Sequence, residues 1–182
     1  MLYKHKLEYE KQKASLVEGA REALKHGISY RNFNVGCTVL AWSDQKQEYK
    51  VFVGANLKAG AGTVKVCAER VAIMSAVSAG YSFIAAIVVC GESQKDEASG
   101  IESPTLHPCD VCRETLYHLI VHDERFETVV EFDTILLTVH KDDTGRQEEM
   151  TLRELFDIHS CDYLLAEEKP QTLRQILLKR EY

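Results

Sequence analysis

Two short segments, Cys67-Ala68-Glu69 and Pro108-Cys109-Asp110-Val111-Cys112, constrain this chain more than anything else in it. Together they offer three thiol ligands for one metal, so a fold that uses them must bring residue 67 beside residues 109 and 112. The C-x-x-C half alone would suit a structural zinc site, a redox pair or coincidence. A structural zinc site closes itself with four protein ligands, whereas a catalytic one keeps a place open for water. Three cysteines with a carboxylate two residues after the first fit the second kind.

Composition narrows the partners. The chain has 182 residues, 45% hydrophobic and 27% charged, which suits a single globular domain with a proper core. Its net charge is −6 and it has no cluster of Lys and Arg. Grip on a phosphate backbone is largely cationic, so a polynucleotide substrate is not expected. The start, Met1-Leu2-Tyr3-Lys4-His5-Lys6, lacks the apolar core of a signal peptide, and no apolar run approaches membrane-spanning length. Six cysteines without a secretion signal lead us to expect reduced thiols and a cytoplasmic protein. Of the three outside the motif, Cys161 is isolated, while Cys37 and Cys90 lie in apolar runs and read as buried small hydrophobes.

Periodicity places the motif on elements. Leu16, Val17, Ala20, Ala23 and Leu24 share one face of a helix over 7–24, which Gly27 ends. Phe33, Val35, Cys37, Val39 and Ala41 alternate along a strand, and a polar turn at 43–47 leads to a second strand over 48–54, a hairpin. Residues 55–66 read as a loop and 67–79 as a buried helix ending at Gly80. The apolar run 83–90 reads as a central strand. A long exposed loop over 91–108, a helix over 109–121, a strand over 134–139, a turn over 141–146 and a short helix over 151–156 follow. In the tail, Leu173, Ile176 and Leu177 keep helical spacing after Pro170. The sum is an α/β chain with one mixed sheet and helices on its faces.

On this reading both ligand segments open helices, where the backbone dipole and free N–H groups stabilise thiolates. Three thiolates over-neutralise Zn²⁺ and weaken it as a Lewis acid. A cation beside the sulfurs corrects that, and Arg70 and Arg113 lie near the ligands in sequence. Glu69 is the candidate proton shuttle, taking a proton from the attacking water and delivering protons to substrate.

With those residues in view, the chain resembles the small, homotetrameric, zinc-dependent cytidine deaminases, with blasticidin S deaminase a cousin. The similarity runs over about residues 12–160. Asn32-Phe33-Asn34-Val35-Gly36 is similar to the family's strand motif, whose phenylalanine lines the pyrimidine pocket. Gly54-Ala55-Asn56 stands at the family's distance before the first metal cysteine, and Cys67-Ala68-Glu69-Arg70 matches its motif letter for letter. The resemblance implies a three-layer fold with a five-stranded mixed sheet. It implies zinc on Cys67, Cys109 and Cys112, catalysis by Glu69, substrate contacts from Phe33, Asn56, Lys58 and Ala68, and thiolate-charge tuning by Arg70. It further implies hydrolytic deamination of a cytidine-like free nucleoside in pyrimidine salvage by a homotetramer, which the extra loop and tail could reduce to a dimer by blocking one interface. The catalytic domain would occupy 1–160 and a C-terminal helical extension 161–182.

The chain also departs from the family. Lys58 replaces a glutamate that contacts the ribose, Ala61-Gly62-Thr63 replaces a tyrosine-proline pair, and Glu114 stands where glutamine is usual. The 91–108 loop is longer, and 123–133 is inserted. These leave two alternatives to plain cytidine turnover: a deaminase for an antibiotic-type or anionic-sugar aminopyrimidine nucleoside, and a zinc-stabilised homologue without turnover. A purely structural site has no need of Glu69. His107 is read as a loop histidine, because a fourth ligand would close the site, and His118 with His122 as a helix-surface pair.

Overall fold

The computed structural model describes residues 2–60, 65–97, 100–121, 129–143 and 145–159. A long helix opens the chain, α1 (Leu2–Leu24), followed by the short strand β1 (Ile28–Ser29) and the hairpin β2 (Gly36–Ser43) and β3 (Glu48–Ala55). Two more short strands, β4 (Leu57–Lys58) and β5 (Lys65–Val66), lead into α2 (Ala68–Ser78). Then come β6 (Phe83–Gly91), α3 (Asp110–Val121), β7 (Ile135–His140), β8 (Gln147–Thr151) and α4 (Leu152–Ile158).

The main sheet has five strands in the order β3-β2-β6-β7-β8. All its pairings are antiparallel except β6 with β7, which is parallel. The alternation in the sequence divides it cleanly. Cys37, Val39, Ala41, Ile87 and Val89 face a core with α2, α3 and α4, which contribute Ala72, Leu116 and Phe156. Leu40, Ala86, Val88 and Cys90 face the other side, against Tyr9, Leu16 and Ala20 of α1. Strand β6 is buried on both faces, which is why its sequence is a continuous apolar run rather than an alternating one. The expected mixed sheet between helical layers is the observed one.

Two glycines set the layer spacing. A Cβ on Gly36 would stand 2.0 Å from the Ala20 carbonyl oxygen of α1, and one on Gly54 would stand 2.3 Å from that of Ala68. Each side chain would collide with backbone, so only glycine lets β2 and β3 lie this close to the helices. The approach of β3 to the start of α2 fixes where the first metal-site cysteine sits.

The structure adds to the sequence reading at three places. Helix α1 begins at Leu2 rather than residue 7. The segment from Gln147 to Thr151, not read as a strand, is the sheet's edge strand, with a partly exposed and largely polar face. Short strands β1, β4 and β5 form a small three-stranded sheet that carries Lys58 between Ser29 and Lys65. The tail helix, Cys161, His122 and most of the 123–133 insertion lie outside the described residues. Among the described residues no helix is long and apolar enough to cross a membrane.

Candidate metal and catalytic site

Cys67 and Cys109 occupy equivalent positions just outside helices. The Cys67 carbonyl accepts the first bond of α2 from Val71 N–H (3.2 Å), and the Cys109 carbonyl accepts that of α3 from Arg113 N–H (2.9 Å). The Cys67 backbone is extended (φ −80°, ψ 153°) and its side chain caps nothing, so the thiol is left for another partner. Cys112 follows one turn into α3. The ligand atoms of Cys67, Cys109 and Cys112 all lie within 4.8 Å of one another, with the Cys67 and Cys109 sulfurs 3.6 Å apart. Tetrahedral zinc with Zn–S bonds near 2.3 Å asks for sulfurs about 3.8 Å apart. The three residues therefore fit zinc.

Glu69, in the first turn of α2, is 4% exposed. Burial above all, then the negative charge at Cys109, pushes its carboxyl up to about 7. Its own backbone N–H, the Cys112 thiol and the Lys58 ammonium act in the opposite direction. A carboxyl poised near neutrality can both take and give a proton, as a shuttle requires. The three sulfurs are close enough to act on one another's protons. Hydrogen bonds from Cys112 and Cys67 pull the Cys109 thiol far down, and that thiolate pushes its two neighbours up. Cys37 and Cys90 differ in kind: burial pushes both thiols up, as expected of buried small hydrophobes.

The other candidate residues surround this centre unevenly. Ala68 is fully buried beside Gly54. Asn56, 2% exposed, accepts from Val35 N–H at Oδ1 (2.8 Å) and donates from Nδ2 to the Phe33 carbonyl (2.9 Å). Its amide thus hooks the 33–35 segment and sets where Phe33 lies. Lys58 Nζ is 5.8 Å from the Phe33 ring centroid, and its charge reaches both Glu69 and Cys109. Arg70 donates from Nη2 to the Lys65 carbonyl (2.9 Å), while its Nε is buried with no protein partner among the described residues.

His107 is not the plain loop histidine expected. Its side chain is 5% exposed and touches Glu148 through Nε2 (3.3 Å) and His159 through Nδ1 (3.0 Å). His159 ends α4, and its Nδ1 is 3.6 Å from Asp96 Oδ2. Sequence reasoning missed this cluster because its members are far apart in the chain and no local pattern links them. Burial above all, then the charges of Arg113 and His107, lowers the His159 pKa from 6.5 to about 4, against an upward pull from Asp96. Between those values the unfolded chain binds a proton that the folded chain refuses. The His159 contribution is therefore fully favourable above about pH 6.5 and is lost progressively as pH falls towards 4. Denaturant unfolding with chelator present should show this decline, and His159→Gln should flatten it. Equal slopes in parent and variant would contradict the assignment.

Comparison with known proteins adds to this geometry. Residues 10–127 match the family model described as the cytidine and deoxycytidylate deaminase zinc-binding region. A probable cytidine deaminase of Dictyostelium discoideum is 32% identical over 85 residues, which is 47% of this chain and 49% of that protein. The match thus spans about half the length of this curated relative. The crystal structure of cytidine deaminase from Burkholderia pseudomallei superposes with a TM-score of 0.57 and 27% identity, over 78% of this chain and 94% of that one. Cytidine deaminase from Mycobacterium leprae covers the same shares at a TM-score of 0.51 and 18% identity, a likeness of fold alone.

Proposed function

The chain belongs to the cytidine and deoxycytidylate deaminase zinc-binding family, and from that premise we propose that it hydrolyses the exocyclic amine of a cytidine-like free nucleoside. The products are the uridine form and ammonia. Zinc is the cofactor, and the three-cysteine group fits it. When bound, it supplies a Lewis acid that makes water nucleophilic at neutral pH. The observation that carries the reading is the burial of Glu69 beside three convergent thiols. A carboxyl there serves no purpose in a purely structural zinc site.

In this reading Cys67, Cys109 and Cys112 hold the metal and Glu69 moves the protons. It takes one from water and returns protons to the pyrimidine ring nitrogen and the departing amine. Phe33 packs against the base. Asn56 fixes Phe33 from behind, and its remaining amide proton and lone pair are available to the sugar. Ala68 packs on Gly54 and sets the position of the start of α2 beneath the substrate. Arg70 Nε faces no protein acceptor among the described residues, and a metal-bound thiolate would satisfy it and soften the excess negative charge. The resemblance also carries assembly into a homotetramer, for which exposed Met74 and Val77 on α2 offer apolar surface. Light scattering that gave a monomer would remove assembly from the proposal.

A second reading of the substrate rests on Lys58. Its ammonium stands near Phe33 with no ion-pair partner among the described residues, and an ammonium only donates. It favours a carboxylate or another acceptor-rich group on the sugar, where a glutamate would accept from a hydroxyl. The test is a screen of cytidine, deoxycytidine and a carboxylate-bearing cytosine nucleoside, read by ammonia release and loss of cytosine absorbance. Turnover of at least one is expected, and none would defeat the aminohydrolase reading. Lys58→Glu should lower kcat/KM for the anionic substrate relative to cytidine, and an unchanged ratio would sink the altered-sugar reading.

A further inference from the structure

Cys109 follows a long irregular connection, and helix geometry alone does not fix the peptide that presents it. A closed ring of largely buried polar contacts does. Arg113, 3% exposed, donates from Nη1 to the Pro108 carbonyl (2.7 Å) and to Asp96 Oδ1 (3.1 Å), and from Nη2 to Asp96 Oδ2 (3.1 Å). His159 Nδ1 approaches the same Asp96 carboxylate (3.6 Å), and His159 Nε2 meets His107 Nδ1 (3.0 Å). His107 is bonded directly to Pro108, which closes the ring. Both sides of the Pro108 residue are therefore held, the carbonyl by Arg113 and the preceding side chain by His159. Glu148 on β8 braces the ring through His107 Nε2 (3.3 Å). Asp96 is itself pinned by its backbone, donating from its N–H to the Ile101 carbonyl (2.9 Å) and accepting at its carbonyl from Gly100 N–H (2.8 Å).

We propose that Asp96, His107 and His159 are positioning residues for the metal centre, a clamp that holds Cys109 in place before zinc arrives. The inference rests on the reading of Cys109 as a zinc ligand. Burying an arginine and two histidine side chains against a partly buried aspartate is expensive, and apolar side chains of similar volume would stabilise this corner at least as well. What apolar packing cannot supply is directional control of the 107–109 peptide. The Cys67 and Cys109 sulfurs already stand 3.6 Å apart, close to the spacing that tetrahedral zinc requires. Partners one layer out from the ligands commonly govern metal affinity in this way. The connection between β6 and α3 supplies two members of the clamp, Asp96 and, near its end, His107.

The test is zinc affinity of the full chain by competition with a chelator, together with the absorption spectrum of the cobalt(II)-substituted protein. Asp96→Ala and His159→Leu should each weaken zinc binding about 10–100-fold and shift the thiolate-to-cobalt and d–d bands. Asp96→Asn keeps the shape and one acceptor for Arg113, so it should fall between parent and Asp96→Ala; it carries the test if Asp96→Ala does not fold. A lower melting temperature with unchanged zinc affinity and cobalt spectrum would reduce the ring to a structural brace and overturn the proposal. If the parent binds zinc through its three cysteines and the clamp variants bind it equally tightly, the clamp alone is wrong. If the parent binds no zinc, the zinc-site reading fails and the clamp fails with it.

Discussion

Glu69→Gln should keep the zinc and the fold while turnover falls by about 10²–10⁴-fold, the range contributed by a positioned proton-transfer group. The side chain is 4% exposed in the first turn of α2, and glutamine matches its shape, so the packing around Ala68 and Ala72 has no reason to change. What changes is chemistry: an amide neither takes a proton from water nor delivers one to a leaving amine. The loss should therefore appear in kcat, with KM close to the parent's. Metal analysis and melting temperature should match the parent. Turnover within a few-fold of the parent would remove Glu69 from the mechanism.

Losing the metal should have the other large effect. Cys67→Ser, Cys109→Ser and Cys112→Ser should each abolish stoichiometric zinc, because the remaining two thiols no longer surround an ion. The three cysteines tie the start of α2 to the start of α3, so metal binding is linked to folding. At free zinc a thousand times its dissociation constant, the bound state gains about 4 kcal/mol over the metal-free chain. For a domain of this size that corresponds to a melting temperature about 10 °C higher. Calorimetry with zinc and with chelator reads the difference directly. A Cys109→Ser protein that retained one zinc with the parent's melting temperature would show that the metal sits elsewhere.

The three-cysteine group, the carboxyl in the first turn of α2 and most of the elements were legible because each has a local signature. Apolar residues at helical spacing marked the buried stripe of α1, and strict alternation marked β2. An unbroken apolar run marked β6, whose two faces are both covered. The strand Gln147–Thr151 escaped because an edge strand with a polar outer face carries no such pattern. Strands β1, β4 and β5 are two residues each, too short to leave any period. Cys67 and Cys109 were read as first-turn residues, and they sit one step earlier, at the caps; a motif fixes spacing but not which residue starts the helix.

By itself the sequence determined which chemical groups are on offer: three thiols, and one carboxylate two residues from the first. Those follow from residue type and short-range spacing, which a linear chain displays openly. Only the tertiary structure decided how the rest is used. It turned Asn56 into a hook on Phe33, engaged Arg70 with the Lys65 carbonyl, and set Lys58 within electrostatic reach of Glu69 and Cys109. It also gathered Asp96, His107, Arg113, Glu148 and His159 around the Cys109 peptide. The reason is physical. Hydrogen bonds and charges act over a few ångströms in space, and residues as distant in sequence as Asp96 and His159 come within that range only once the sheet has placed β8 and α4 beside the ligand loop.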